Sequence, residues 1–91
     1  MTAPGVEVEL FGVPRLVAGQ RSLRVAGQTL GDVAAALGGA CPGLKGSVID
    51  AETGWLLHGY TFVLDDRFTN DPDRPVGPAA SVLLVSSVAG G

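Results

Sequence analysis

The chain begins with a two-residue alternation. In "VEVELF", Val6, Val8 and Leu10 take one parity and Glu7 and Glu9 the other, the pattern of a strand with one buried face. Carried one position further, the alternation puts Phe11 on the side of the glutamates. "GVPRLVAGQR" follows, with Gly12, Pro14 and Gly19, and reads as a turn-rich connection. "SLRVA" then alternates again, Leu23 and Val25 against Ser22 and Arg24, which predicts a second strand hairpinned to the first.

The period then changes. Within "TLGDVAAALGG", Leu30, Val33, Ala34 and Leu37 fall at i, i+3, i+4 and i+7, one stripe of a helix. Thr29 offers an N-cap hydroxyl and Asp32 its acidic partner three residues on, while Gly38 and Gly39 ahead of Pro42 predict the stop. From Ala40 to Gly59 the chain is punctuated by Pro42, Gly43, Gly46 and Gly54, a crossover connection with at most a short strand or helical turn.

"YTFVLD" (60–65) is a strand by its β-branched and aromatic content, but its apolar residues occupy both parities and leave the buried face open. Asp65 and Asp66 favour a turn, "RFT" a short return strand, and "NDPDRPVGPA" a surface loop. The last strand, "SVLLVS", is apolar through 82–85. This order predicts an α+β fold, a mixed sheet with one main helix packed across one face. The most continuously apolar strand, the last, belongs at its centre. The chain divides into one domain, 1–86, and a flexible C-terminal tail, 87–91.

Composition narrows the function classes. Ninety-one residues allow one modest core, and 46% hydrophobic with 16% charged residues lies far from the disordered regime. A net charge of −3 with six scattered Lys and Arg argues against nucleic acid and anionic membrane as partners. A lone cysteine, Cys41, excludes an internal disulfide and a multi-cysteine metal site. Nothing reads as a membrane span or signal peptide, so a cytoplasmic protein is expected.

Conventional active-site chemistry is hard to find. His58, the single histidine, is tied by no motif to a nucleophile or carboxylate and reads as structural or exposed. Cys41 in "GACPG" reads as an inert free thiol. Asp65, Asp66, Asp71 and Asp73 match no calcium-loop spacing and sit where turns use Asp. Gly38 and Gly39 follow a helix instead of opening one, so they form no phosphate cradle. No catalytic residue, metal site or bound cofactor is expected.

The tail "SSVAGG" carries more. It follows the strongest strand, and residues 87–91 can reach about 17 Å, enough to enter another protein's active site. Glycine lacks Cβ, so it passes a narrow channel and accepts whatever backbone angles a partner imposes. A terminal α-carboxylate is ionised at neutral pH and nucleophilic. To acylate anything it must first be activated, usually by attack on the α-phosphate of ATP. This chain has no ATP site, so a partner must supply it.

With "VEVELFG" as opening strand, "TLGDVAAAL" as helix, "FVLDDRF" as strand and turn and "SVLLVSSVAGG" as final strand and tail, the chain resembles the ubiquitin-like sulfur-carrier family. These are β-grasp proteins that serve thiamine, molybdopterin and cysteine synthesis; "TLGDV" and "VAGG" are the specific pieces. The resemblance implies a non-enzymatic protein co-substrate, monomeric when free. An E1-like adenylyltransferase would adenylate the Gly91 carboxylate with ATP, and a thiocarboxylate would form there. A sulfur-accepting biosynthetic enzyme would then take the sulfur. The pathway stays open among thiamine, molybdopterin, cysteine and a sulfur-containing secondary metabolite.

Gly91 would be the adenylation and thiocarboxylate site, with Gly90, Ala89 and Val88 as the threaded arm. Docking would use the sheet face opposite the helix, through Phe11 and, if Val82 and Leu84 point to the helix, Leu83 and Val85. Two departures from the family stand out. Ser86 and Ser87 replace prolines common before the last four residues, and "GPAAS" replaces an acidic-Gly turn. The alternatives are a ubiquitin-like modifier conjugated through Gly91, a molybdopterin synthase small subunit held by a large catalytic subunit, or a binding module whose glycines are incidental.

Overall fold

A computed structural model describes residues 5–77 and 79–86. β1 (Val6–Leu10) buries Val6, Val8 and Leu10 and exposes Glu7 and Glu9. β2 (Ser22–Val25) pairs with it antiparallel, Val6 opposite Val25 and Val8 opposite Leu23. The alternation and the hairpin are therefore as the sequence predicts.

The link between them is not merely a turn-rich connection. It holds α1 (Val13–Ala18), and the residues that suggest turns are the ends of this helix. Gly12 takes φ 66° at the N-cap, and Gly19 takes φ 69° as a left-handed C-cap with its N–H on the Arg15 carbonyl. Pro14 sits in the first turn, where its missing N–H forfeits no helical bond.

α2 (Leu30–Ala40) buries the predicted stripe of Leu30, Val33, Ala34 and Leu37. Thr29 Oγ1 accepts the Asp32 N–H at 3.2 Å, and Asp32 Oδ2 accepts the Gln28 N–H at 3.2 Å. The glycine stop is overturned: the helix runs on through Gly38, Gly39 and Ala40. It ends because Pro42 forces the residue before it out of helical geometry, and Cys41 accordingly lies at φ −135°. Gly38 is buried, with Lys45 packed over it.

The proline-rich loop is more than a surface loop. The Leu30 N–H donates to the Arg74 carbonyl at 2.9 Å and the Gly31 N–H to the Pro72 carbonyl at 2.8 Å. In return Gln28 accepts the Val76 N–H at 2.9 Å, and Val76 is buried. With Thr29 accepting from Asp32 and Val33, all four leading N–H groups of α2 are satisfied. The 70–77 segment is a strap across the helix start.

The crossover from 41 to 59 contains a short 3-10 turn, Pro42–Leu44, and supplies Leu44, Val48, Ile49 and Leu56 to the core. Trp55 lays its ring 5.7 Å from that of Phe62. β3 (Tyr60–Leu64), β4 (Arg67–Thr69) and β5 (Val82–Ser86) complete a five-stranded sheet of order β2-β1-β5-β3-β4. β5 runs parallel to β1 and antiparallel to β3, in the central place expected of it. The register sets Phe62 opposite Leu84 and Leu64 opposite Val82, and all four are buried. That settles the face of β3 which alternation left open.

Candidate functional site

The face of the sheet turned away from α2 is built by register. Glu9 lies opposite Ser22 on one side and beside Leu83 on the other; Leu83 faces Val63, and Val63 faces Phe68. One row of side chains thus crosses all five strands. In the next row Leu10 lies beside Leu84, which carries Phe11 alongside Val85, and the Phe11 N–H donates to the Leu84 carbonyl at 3.1 Å.

Phe11, Leu83 and Val85 therefore share this face. Phe11 is exposed, Leu83 and Val85 are half-buried, and Val82 and Leu84 turn inward at 1% and 0% exposure. The parity argument places the five residues correctly. It misses two neighbours, Val63 and Phe68, the latter 75% exposed. The signal for them is in the turn: Asp65 and Asp66 both take left-handed backbone, φ 49° and 71°, as a two-residue primed hairpin turn requires. A two-residue turn puts Leu64 opposite Arg67 and hence Val63 opposite Phe68.

α1 adds to the same end of the molecule. It follows β1 directly, contacts β5, and leaves Val13, Leu16 and Val17 exposed, Leu16 at 81%. Alternation could not reveal these residues because they lie on an unexpected helix. Toward the start of β1 the face becomes polar: Arg24 pairs with Glu7 at 3.4 Å, and the Ser22 hydroxyl donates to Glu7 at 3.1 Å. Both members of that ion pair are well exposed, so it contributes little to stability. Between β3 and β4 the buried Thr61 hydroxyl donates to Asn70 Oδ1 at 2.8 Å.

β5 ends at Ser86, whose hydroxyl donates to the Gly59 carbonyl at 3.4 Å. Ser87, Val88, Ala89, Gly90 and Gly91 lie outside the described residues. His58 is exposed, and Cys41 is half-buried at the end of α2. Among the described residues no three of His, Cys, Asp and Glu are grouped to hold a metal ion. No described helix is long and apolar enough to cross a membrane. What the described residues present is an apolar face beside the C-terminal end of β5.

No protein-family model and no curated protein matches the chain. Solved structures do. The crystal structure of SAMP1 from Haloferax volcanii is 28% identical with a TM-score of 0.80, the match covering 96% of this chain and 99% of that one. The chain has the ubiquitin-like β-grasp fold. The same β-grasp arrangement recurs in small archaeal modifier protein 1 of Methanosarcina acetivorans, at 20% identity, full coverage of both chains and a TM-score of 0.79. It recurs again in the Amycolatopsis orientalis BexX/CysO complex, at 19% identity, 94% of this chain, 99% of that one and a TM-score of 0.74. At these identities the last two establish shared fold alone. The two SAMP1 neighbours are small archaeal modifier proteins.

Proposed function

We propose that this β-grasp protein is a sulfur carrier and that Gly91 is its reacting residue. In the first step the Gly91 carboxylate attacks the α-phosphorus of ATP on an E1-like adenylyltransferase, forming an acyl adenylate and releasing pyrophosphate. Hydrosulfide then attacks the acyl carbon, AMP leaves, and a proton is lost to give the thiocarboxylate. On the accepting enzyme the thiocarboxylate sulfur attacks an electrophilic carbon of the substrate, forming a carbon–sulfur bond as the bond to a leaving group breaks and that group departs with the electron pair. Water then cleaves the acyl–sulfur bond, restoring the carboxylate and leaving the substrate as a thiol.

The observation that supports this reading is the position of β5. It is the central strand, held by β1 on one side and β3 on the other, and it leads into "SVAGG" with only five residues left to Gly91. A tail rooted there starts from a fixed point next to Phe11, Leu83 and Val85. The protein would dock by that apolar face while Val88, Ala89 and Gly90 thread toward the nucleotide. A few anchors, aromatic ones prominent among them, carry most of the binding energy at interfaces.

The test is incubation of the full chain with a cognate E1-like enzyme, ATP and sulfide, followed by intact mass. A gain equal to the difference between sulfur and oxygen is expected, and it should vanish when Gly91 is deleted. An unchanged mass with every cognate adenylyltransferase would count against the carrier role.

A second reading, a protein modifier joined through Gly91 to a lysine amine, draws support from the likeness to SAMP1 at 28% identity. Activation is common to both readings, and the products differ. Protein isolated from its native cell would show higher-mass conjugates under this reading instead of the thiocarboxylate.

A further inference from the structure

The chain holds five arginines and one lysine, Lys45. Guanidinium groups stay protonated and are not nucleophiles near neutral pH, so Lys45 supplies the one nucleophilic side-chain amine. The single thiol, Cys41, is half-buried and packs against the core, whereas Lys45 is exposed. Among the described residues the ion pair is Arg24 with Glu7, and the Lys45 ammonium takes no carboxylate partner.

The backbone and stem of Lys45 are held in place. Its N–H donates to the Pro42 carbonyl at 3.1 Å and closes the 3-10 turn. Its stem lies along α2 at Gly38, where an added Cβ would stand 3.4 Å from Lys45 Cγ and 3.3 Å from Lys45 Cε. Glycine leaves that room open, and the aliphatic stem covers the buried Gly38 while the residue as a whole stays exposed. Lys45 therefore belongs to the helix side of the sheet, and the row through Leu83, Val63 and Phe68 to the other side.

We propose that Lys45 is the acceptor that joins one copy of this protein to Gly91 of another. The inference rests on the modifier reading above and names its amine. Unprotonated Lys45 Nζ attacks the acyl carbon of a second copy's Gly91 adenylate. A carbon–nitrogen bond forms, the bond to the AMP oxygen breaks, AMP departs with that electron pair, and the nitrogen loses its extra proton to solvent. The donor is another copy because its own arm is committed. With Val88, Ala89 and Gly90 threaded toward the nucleotide, the five residues past Ser86 cannot also turn back to the donor's own Lys45. Lys45 and the docking row lie on opposite faces, so an acceptor that has been joined keeps its row open and its Gly91 can be activated in turn.

The test has two arms, and the first needs no enzyme. The donor is the full chain with Lys45→Arg and Gly91 prepared as its 2-mercaptoethanesulfonate thioester; the acceptor is the unactivated full chain, ¹⁵N-labelled. Intact mass should show a joined pair, and fragment sequencing should place the isopeptide bond between Gly91 and Lys45. The rate should lie within about tenfold of that for Nα-acetyl-lysine amide under the same conditions, as for an amine the fold leaves accessible. Lys45→Arg and Lys45→Gln acceptors, checked for an unchanged urea midpoint, should each lose at least about tenfold in yield.

In the second arm the full chain meets a cognate E1-like enzyme and ATP without sulfide. A ladder of joined copies is expected, each step adding one chain mass less one water, and Lys45→Arg should stop at the adenylate. Joining through the α-amino group with undiminished yield in Lys45→Arg would overturn the proposal, and so would a slower reaction than the first arm allows. A wild-type product that has lost water without pairing is a ring closed on its own Lys45, which would also overturn it. So would an adenylate that forms and gives no ladder. If no adenylate forms at all, the modifier reading fails, and the thioester arm still decides whether Lys45 accepts.

Discussion

Asp66 is the residue at which local geometry and side-chain chemistry disagree most plainly. It takes φ 71° on an L-residue, and Asp65 before it takes φ 49°. Asp tolerates left-handed backbone better than most residues, but glycine does so without a Cβ to crowd. The two positions are not equivalent. Asp65 earns its place through Oδ1, which accepts the Ser81 N–H at 3.0 Å and ties the turn to the entrance of β5, whereas Asp66 makes no such bond among the described residues. Asp66→Gly should therefore stabilise the protein by about 0.5 kcal/mol in urea unfolding, and Asp65→Gly should not. Gly5 presents the opposite case. At φ 126° an added Cβ would fall 2.6 Å from the Val25 carbonyl oxygen, against backbone that cannot swing aside. Gly5→Ala should cost about 2–4 kcal/mol by the same measurement.

At the scale of elements, α2 shows what patterning reads and what it cannot. Its stripe and its Thr29 cap are stated by the sequence, because apolar spacing and a hydroxyl followed by an acid are local facts. Its end is not local. Two glycines look like a stop, but helix propensity is a weak prior that packing overrides: Gly38 is buried under Lys45, and Pro42 sets the true limit. α1 was hidden for the converse reason, since Gly12, Pro14 and Gly19 are both turn formers and the natural punctuation of a six-residue helix. The outer face was legible where parity was clean, at Phe11, Leu83 and Val85, and illegible at Phe68, which needed a register that only the primed turn provides. The strap was illegible too, because its bonds to α2 are carbonyl contacts between segments more than 40 residues apart. A test follows from the extra turn of α2. Nothing lies within 4 Å of a Cβ added at Gly39, an exposed helical position. Gly39→Ala should raise stability by about 0.8–1 kcal/mol, read as a higher urea midpoint with an unchanged slope. A loss of stability would mean that the helix ends at the glycines after all.

For the whole molecule, the question is whether docking and chemistry are separable, as the proposed carrier role requires. The described residues supply an apolar row across the sheet and a central β5 that ends at Ser86. Phe68 offers the cleanest incision. At 75% exposure its ring contributes little to folding, so Phe68→Asp should shift stability by no more than about 0.5 kcal/mol. If the row is where the activating enzyme docks, the charge placed there should raise the KM for this protein at least about tenfold and leave kcat unchanged, because an interaction lost equally from the bound and transition states acts on KM alone. Deleting Gly91 should do the reverse. That chain retains the row, so it should yield no product and yet inhibit activation of the intact protein, with an inhibition constant close to the intact protein's KM. Adding Phe68→Asp to the deletion should abolish the inhibition. If Phe68→Asp leaves KM untouched, the docking surface lies elsewhere, and the exposed apolar residues of α1, with Leu16 foremost, become the next surface to charge.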